Sequence, residues 1–240
     1  TLYPKLRSVA GHRVTGYTDL AEVDTGLEYL TLMRDPIKAC ASRFQYKVQI
    51  SGKKDLVFED WIQQDWVRNR HTKQISGGDD VNEAIRLIKE KDMFVGLSEY
   101  FDESMVLLKG LRVNELDISY KRVNVARNNA IKDRLLSTES TRQLLVEAQQ
   151  ADIQLFDWVK QELFESYRRE YGPSLEADVG TYQQSLPGSF NFRNLTLSRL
   201  KHYGLYKPVL RLQRRNRTRG TTTLRRAARK WWMQRVRWRL

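Results

Sequence analysis

Two short apolar runs, far apart in the chain, stand out in the pattern of hydrophobic and polar positions. Residues 28–34 (EYLTLMR) are rich in β-forming side chains and end at an Asp-Pro turn, and residues 93–97 (MFVGL) are apolar throughout. Short apolar runs of this kind are typical of strands buried on both faces of a parallel sheet. The pattern therefore predicts two buried strands, the first of which ends near Met33.

Helical spacing of apolar positions fills most of the chain between and after these runs. It predicts helices over residues 36–48, 58–69, 80–91 and 102–108, a polar basic loop over 119–134 and a long helical region over 138–171. After Gly172-Pro173, turn residues predict loops over 177–204, with a short helix near 195–203. Strands that alternate with helices favour an α/β domain with a parallel sheet and many helices.

The net charge of +13 is concentrated at one end of the chain. Residues 207–240 contain 13 of the 42 Lys and Arg residues and none of the 29 Asp and Glu residues, so residues 1–206 carry 29 of each sign. We therefore predict a folded domain over residues 1–206 and a basic Arg/Trp-rich tail over 207–240. The balanced domain gives no reason to expect a nucleic-acid partner.

The tail has three interpretations, and the sequence leaves them open. Basic segments with tryptophan lie on anionic membranes, and arginine with aromatic residues also suits polyanions. The third interpretation is a solvated basic extension. The single cysteine, Cys40, excludes an internal disulfide and a cysteine-rich zinc site, and we expect it to be a small buried helix residue.

The segment around the Asp-Pro turn is the most informative for chemistry. Arg34 ends the first predicted strand, and Ser42 lies about two turns into the helix that follows. The carboxyl ends of strands in α/β sheets are where phosphorylated ligands bind, and arginine offers a planar two-pronged donor to phosphate. A salt bridge from Arg34 to Asp35, with Ser42 facing solvent, is the alternative.

Residues 29–46 (YLTLMRDPIKACASRFQY) resemble the 3′-phosphate-binding motif of sulfotransferases that use 3′-phosphoadenosine 5′-phosphosulfate (PAPS). Residues 94–108 (FVGLSEYFDESMVLL) resemble the strand, turn and helix of the carbohydrate sulfotransferases related to heparan sulfate 2-O-sulfotransferase. Residues 119–158 resemble, more loosely, the basic loop that closes over the nucleotide and a helix with Gln-X-Ala/Ser-Asp-Ile, here residues 149–153. The resemblance implies a P-loop NTPase-like sulfotransferase fold with a parallel sheet.

By this resemblance, Arg34, Ser42 and Arg122 hold the 3′-phosphate of PAPS. His12 resembles the histidine of the family's Gly-His element, which implies that it is the general base that takes the acceptor proton. The alternatives are a structural or surface His12 and a solvated Arg122. His71 and His202 are expected to be ordinary surface residues.

The chain departs from the family pattern at Ala39, where arginine is frequent, and at Phe44, where tyrosine is common. It also has no Pro-Lys-X-Gly-Thr-Ser-like loop, which in the family wraps the 5′-phosphosulfate; residues 3–6 hold Pro-Lys alone. All the matching residues follow that loop in family order. We therefore expect the first strand, loop and helix to be missing, and the 240 residues alone to transfer no sulfate.

The function implied by the resemblance is transfer of a sulfuryl group from PAPS to a hydroxyl of a saccharide, without a metal. One alternative is a phosphate-transferring nucleotide enzyme, which would need a Gly-X-X-X-X-Gly-Lys loop that this sequence lacks. The other is a non-catalytic protein that binds polyanions or a membrane surface through its tail. The compartment stays open between the cytoplasm or a membrane surface in a bacterium and the Golgi lumen in a eukaryote.

Overall fold

The computed structural model describes residues 14–18, 20, 26–49, 51–52, 55–120 and 128–189. All of these except Ser189 belong to one of the two compact units of the chain, Ala10–Gly188. The boundary predicted at residue 206 lies outside the described residues. The elements, in chain order, are β1 (Leu30–Met33), α1 (Pro36–Gln49), α2 (Phe58–Ile62), α3 (Arg70–Ser76), α4 (Val81–Glu90), β2 (Phe94–Leu97), a 3-10 turn (Ser98–Tyr100), α5 (Phe101–Leu111), α6 (Ala130–Ser137), α7 (Glu139–Ala148), α8 (Gln150–Trp158), a π-helical turn (Val159–Leu163), α9 (Phe164–Tyr171) and α10 (Leu175–Ser189).

The described residues form a mostly helical α/β structure with a small parallel sheet. Strands β1 and β2 pair in parallel, with Leu30 opposite Phe94 and Met33 opposite Leu97. A parallel pair needs a long crossover connection, which here contains α1 to α4. The prediction of an α/β domain with a parallel sheet is confirmed at this level. Strand β2 is buried throughout as predicted, whereas β1 begins at the exposed Leu30.

Helix α1 begins where the Asp-Pro turn predicts it. The Asp35 carboxylate (Oδ1) accepts the backbone N–H of Lys38 at 2.9 Å, and Pro36 is the first helical residue. An aspartate at the N-cap satisfies a backbone donor at the helix start, and proline fits the first turn because its missing N–H has no helical partner. The end of β1 and the start of α1 are therefore held two residues apart.

Two hydrophobic clusters support the described residues. The first surrounds β2 and packs it against α4, α5, α8 and α9. The second lies between α1, α2, α6 and α7, and its centre is aromatic: Phe44 lies 5.2 Å from both Phe58 and Trp61 between ring centroids. Helix α1 thus has a buried face and leaves its other side free for polar contacts.

Three predicted segments differ from the structure. The helix predicted over residues 58–69 ends at Ile62, and turns follow to Asn69, which has a left-handed φ of 45°. Helix α6 occupies part of the predicted basic loop. Helix α10 runs through the loop predicted after residue 177, because tertiary bonds hold it: the Tyr182 hydroxyl donates to the carbonyl of Ile118, and Gln183 Nε2 to Asp102 at 2.9 Å. The turn residues on which the loop prediction was based give no information about such long-range hydrogen bonds.

Among the described helices, none has the length and apolarity that crossing a membrane requires.

Candidate functional site

The carboxyl ends of β1 and β2 lie side by side, because the register places Met33 opposite Leu97. The residues that follow the two strands are linked directly. Glu99 Oε1 accepts the backbone N–H of Asp35 at 2.9 Å, which joins the turn after β2 to the turn after β1. This edge of the sheet is where α/β proteins bind their ligands. We call it the carboxyl edge.

Arg34 and Ser42 both belong to the segment that leaves this edge. Arg34 follows β1 directly and is half-buried, and it forms no ion pair with another described residue. The predicted alternative, a salt bridge from Arg34 to Asp35, is therefore not formed; Lys38 lies 4.0 Å from that carboxylate instead. Ser42 is half-buried on α1, about 9 Å along the helix axis from its first residue at 1.5 Å per residue. A ligand group must bridge the two side chains for them to act together.

The structure adds a polar cluster that the sequence did not indicate. Arg43 on α1 and Arg70 and His71 at the start of α3 are within electrostatic range of one another; Asp152 is within range of Arg43 and His71, and Glu99 within range of His71. Arg43 Nη1 is buried and has no hydrogen-bond partner among the described residues. Burial, with the nearby Arg70 charge, lowers the pKa of the Arg43 guanidinium. Three basic groups of two elements therefore act on one another electrostatically.

His71 is half-buried rather than exposed, which differs from the prediction of an ordinary surface histidine. Burial lowers the pKa of its imidazole, and the charges of Arg43 and Arg70 act in the same direction, against the Asp152 and Glu99 carboxylates. The imidazole is therefore neutral near pH 7. The sequence signal was a histidine one position after the first residue of a short helix, which is too common to be informative.

The Asp152 carboxylate holds the start of α3. It is fully buried and accepts the backbone N–H of His71 at 3.0 Å, the backbone N–H of Thr72 at 2.7 Å and the Thr72 hydroxyl at 2.8 Å. These bonds use both carboxylate oxygens, and three donors satisfy a buried carboxylate well. Asp152 thereby fixes His71 and its neighbour Arg70 beside α1.

Gln149 and Asp152, the polar residues of the Gln-X-Ala/Ser-Asp-Ile segment, have a structural role. Gln149 Nε2 donates to the carbonyl of Val67 at 3.1 Å, and Asp152 binds the start of α3. Both side chains are fully buried. The polar residues of this segment therefore hold residues 67–72 in place.

Two of the predicted site residues, His12 and Arg122, lie outside the described residues, as do His202 and the tail of residues 207–240. The roles predicted for these residues therefore remain predictions. Cys40 is fully buried on α1, as expected. Among the described residues, no three His, Cys, Asp or Glu side chains come together as a metal-binding group.

Comparison of the chain with protein-family models, with curated proteins and with solved structures found no match in any of the three.

Proposed function

We propose that this protein transfers a sulfuryl group from PAPS to a hydroxyl of a saccharide, on a P-loop NTPase-like sulfotransferase fold. The observation that supports this most is the position of Arg34. Its side chain follows a parallel strand directly, has no ion-pair partner in the described part of the chain, and precedes the helix that carries Ser42. In this proposal the two side chains bind the 3′-phosphate of PAPS, and Arg122 of the basic loop closes over it.

The geometry suits a phosphate for electrostatic reasons. Arginine binds phosphate through two parallel N–H donors, and a serine hydroxyl adds a third bond. Asp35, the acidic neighbour of Arg34, has its carboxylate occupied by the N–H of Lys38, with the Lys38 ammonium group 4.0 Å away. The repulsion that this carboxylate would exert on a phosphate is thereby reduced.

In the proposed reaction, an acceptor oxygen attacks sulfur in line with the bond to the bridging oxygen of the phosphosulfate. The new S–O bond forms as the old one breaks, and 3′-phosphoadenosine 5′-phosphate leaves with the electron pair. The acceptor proton passes to a base, for which His12 is proposed. The described residues contribute the 3′-phosphate half of the donor site.

The test is the affinity of the 240-residue chain for 3′-phosphoadenosine 5′-phosphate and for adenosine 5′-monophosphate, measured by titration calorimetry. The two nucleotides differ only in the 3′-phosphate. We expect the first to bind at least about tenfold more tightly, and Arg34→Ala to remove most of that preference, because a charged hydrogen bond to phosphate contributes roughly 1.5–3 kcal/mol. Ser42→Ala and Arg122→Ala are expected to reduce it less.

Matched controls lie on α7, where Ser140 and Arg142 are exposed. Ser140→Ala and Arg142→Ala remove the same chemical groups away from the carboxyl edge, and we expect them to leave both affinities unchanged. Equal affinity for the two nucleotides, or an Arg34→Ala effect no larger than that of Arg142→Ala, would refute the proposed phosphate site.

A further inference from the structure

The hydrogen bond between Glu99 and Asp35 continues the parallel ladder past the last paired residues. The pairing ends with Met33 opposite Leu97, and the same register carried on by two residues sets residue 35 opposite residue 99. In a continued ladder, the N–H of residue 35 would bind a backbone carbonyl of the neighbouring strand. The chain instead enters the 3-10 turn Ser98–Tyr100, and Glu99 Oε1 accepts the Asp35 N–H at 2.9 Å. The side chain of Glu99 therefore replaces one backbone acceptor of the sheet.

Asp35 is bound to its own helix by two further hydrogen bonds. Its carbonyl accepts the N–H of Ala39 at 2.8 Å, and its carboxylate accepts the N–H of Lys38 at 2.9 Å. Both bonds are local to the start of α1, whereas the bond to Glu99 joins residues that are 64 positions apart in the chain. Among the described residues, Glu99 is therefore the side chain that ties this corner to the turn after β2.

The same bond acts on Arg34, the residue between the strand and Asp35. The Asp35 N–H and the Arg34 carbonyl belong to one planar peptide unit, so a fixed N–H also fixes the backbone of Arg34 on that side. On the other side, Met33 is paired with β2. The start of the Arg34 side chain is thereby set from both directions. A side chain that is already ordered loses less conformational entropy when it binds a ligand, so the ligand binds more tightly.

The charge of Glu99 by itself weakens the binding of an anion at the carboxyl edge, because like charges repel. Glu99 is exposed, and it forms no ion pair with Arg34, so its charge is not neutralised there. Any benefit of Glu99 to a phosphate site must therefore come from its bond to Asp35. A glutamine at position 99 separates the two effects, since its amide oxygen can accept the same bond without carrying a charge.

We propose that Glu99 is a positioning residue: its hydrogen bond to the Asp35 N–H holds Arg34 in place for the two-pronged binding of a phosphate. The identity of that phosphate, the 3′-phosphate of PAPS, rests on the proposed function. Two parallel N–H donors reach two phosphate oxygens only in a narrow range of geometries, so a displacement of Arg34 by about 1 Å weakens both bonds. Glu99 does not touch the ligand. It acts through the peptide unit that it binds.

The first test is the preference of the 240-residue chain for 3′-phosphoadenosine 5′-phosphate over adenosine 5′-monophosphate. We expect Glu99→Ala to reduce this preference by about fivefold, through weaker binding of the first nucleotide, and to leave the affinity for the second unchanged. We expect Glu99→Gln to keep the full preference or to raise it, because the acceptor stays and the negative charge is removed. A purely electrostatic effect of Glu99 would instead change both variants in the same direction.

Asp80 provides a matched control for the loss of a carboxylate. It is exposed, and its carboxylate accepts the N–H of Glu83 at 3.1 Å, a bond that is local to the start of α4. Asp80→Ala thus removes one negative charge and one carboxylate–amide bond, as Glu99→Ala does, without separating the two strand ends. We expect Asp80→Ala to lower the urea midpoint at least as much as Glu99→Ala and to leave the nucleotide preference unchanged.

A second readout needs no nucleotide. Nitrogen–proton NMR measures the hydrogen exchange of the Asp35 amide and the order of the Arg34 Nε–H group, whose signal Arg34→Lys identifies. We expect Glu99→Ala to speed the exchange of the Asp35 amide by at least about tenfold and to make the Arg34 Nε–H group more mobile. Glu99→Gln should do neither.

Three results would overturn the positioning role: unchanged exchange of the Asp35 amide in Glu99→Ala, equal losses of preference in Glu99→Ala and Glu99→Gln, or an equal loss in Asp80→Ala. The two readouts separate this failure from failure of the proposed function. If the natural protein prefers the 3′-phosphate and Glu99→Ala keeps that preference, only the positioning role fails. If the natural protein has no such preference, the proposed function fails, and the NMR measurements alone then decide whether Glu99 orders Arg34.

Discussion

Asn69 lies just before α3 and caps α8, whereas Asp152 lies in the first turn of α8 and caps α3. Asn69 Oδ1 accepts the backbone N–H of Ala151 at 3.1 Å, in the first turn of α8, while Asp152 accepts those of His71 and Thr72 in the first turn of α3. Asn69 has a left-handed backbone, which asparagine tolerates better than most residues. Two helices that are distant in sequence therefore start at one point, and this junction fixes the residues that face α1.

Removal of the Asp152 carboxylate should destabilise the protein strongly. Asp152→Ala leaves two backbone donors and the Thr72 hydroxyl without their buried acceptor, so we expect a loss of about 3 kcal/mol in the free energy of unfolding. The matched change is Asp157→Ala, on the same helix but exposed, with an expected effect below about 0.5 kcal/mol. Urea unfolding followed by circular dichroism measures both. Equal midpoints for the two variants would show that the junction contributes little.

Much of the α/β framework was predictable because it depends on local signals. The Asp35 cap, the apolar run of β2 and the helical spacing of α4 each lie within a few residues, and each was confirmed. Arg34 and Ser42 could be placed near a strand end for the same reason. The Asp-Pro dipeptide itself favours the strand-to-helix turn that positions them.

The polar cluster and the junction could not be predicted in this way. His71 is half-buried, and its backbone is bound by Asp152, which is distant in sequence; the helix predicted over residues 58–69 also ends early, at Ile62. The contact with Asp152 is not visible in a window of ten residues. Lys47 on α1 also meets Trp66 in this turn region through a contact between residues that are distant in sequence.

Acid should destabilise the folded protein partly through His71. Burial lowers the pKa of its imidazole in the folded state, whereas the unfolded chain takes up the proton near the ordinary histidine pKa of about 6.5. Below that pH the unfolded state therefore binds more protons, and stability falls as pH falls toward the lowered folded pKa. We expect His71→Gln to lose less stability than the natural protein between about pH 7.5 and about pH 5.5 in urea unfolding.

Carboxylates contribute to the pH dependence of both proteins, so the difference between them isolates His71. Asp152 and Glu99 face the imidazole together with Arg43 and Arg70, and all four charges stay in the variant. Identical losses of stability in the two proteins would show that the His71 pKa is the same in the folded and unfolded states.

Cys40 should be nearly unreactive in the folded protein. Its side chain is fully buried on α1, and burial raises the pKa of the thiol to about 11, against a smaller opposing effect of Arg43. The thiolate is the reactive form, so very little of it exists near pH 8. With Ellman's reagent we expect one thiol per chain to react quickly in concentrated urea and only slowly without it. Fast reaction of the folded protein would show that α1 separates readily from its neighbours.

Gly96 should tolerate no side chain, because β1 and Ser104 pack closely against it. A Cβ at this position would lie 2.7 Å from Leu32 Cδ2 and 2.9 Å from Ser104 Cβ. Ser104 cannot move freely, since its hydroxyl accepts the N–H of Leu97 at 2.9 Å and donates to the Leu97 carbonyl at 3.1 Å. We therefore expect Gly96→Ala to reduce the free energy of unfolding by about 2 kcal/mol.

Gly180 on α10 provides the opposite case for this substitution. A Cβ there would meet no atom within 4 Å, and alanine favours a helix by about 1 kcal/mol relative to glycine, so Gly180→Ala should be neutral or stabilising. Thermal and urea unfolding of both variants measure the contrast. Because Gly96 lies opposite Leu32 in the parallel pair, a Gly96→Ala variant as stable as Gly180→Ala would contradict the β1–β2 register itself, and with it the placement of Asp35 beside Glu99 at the carboxyl edge.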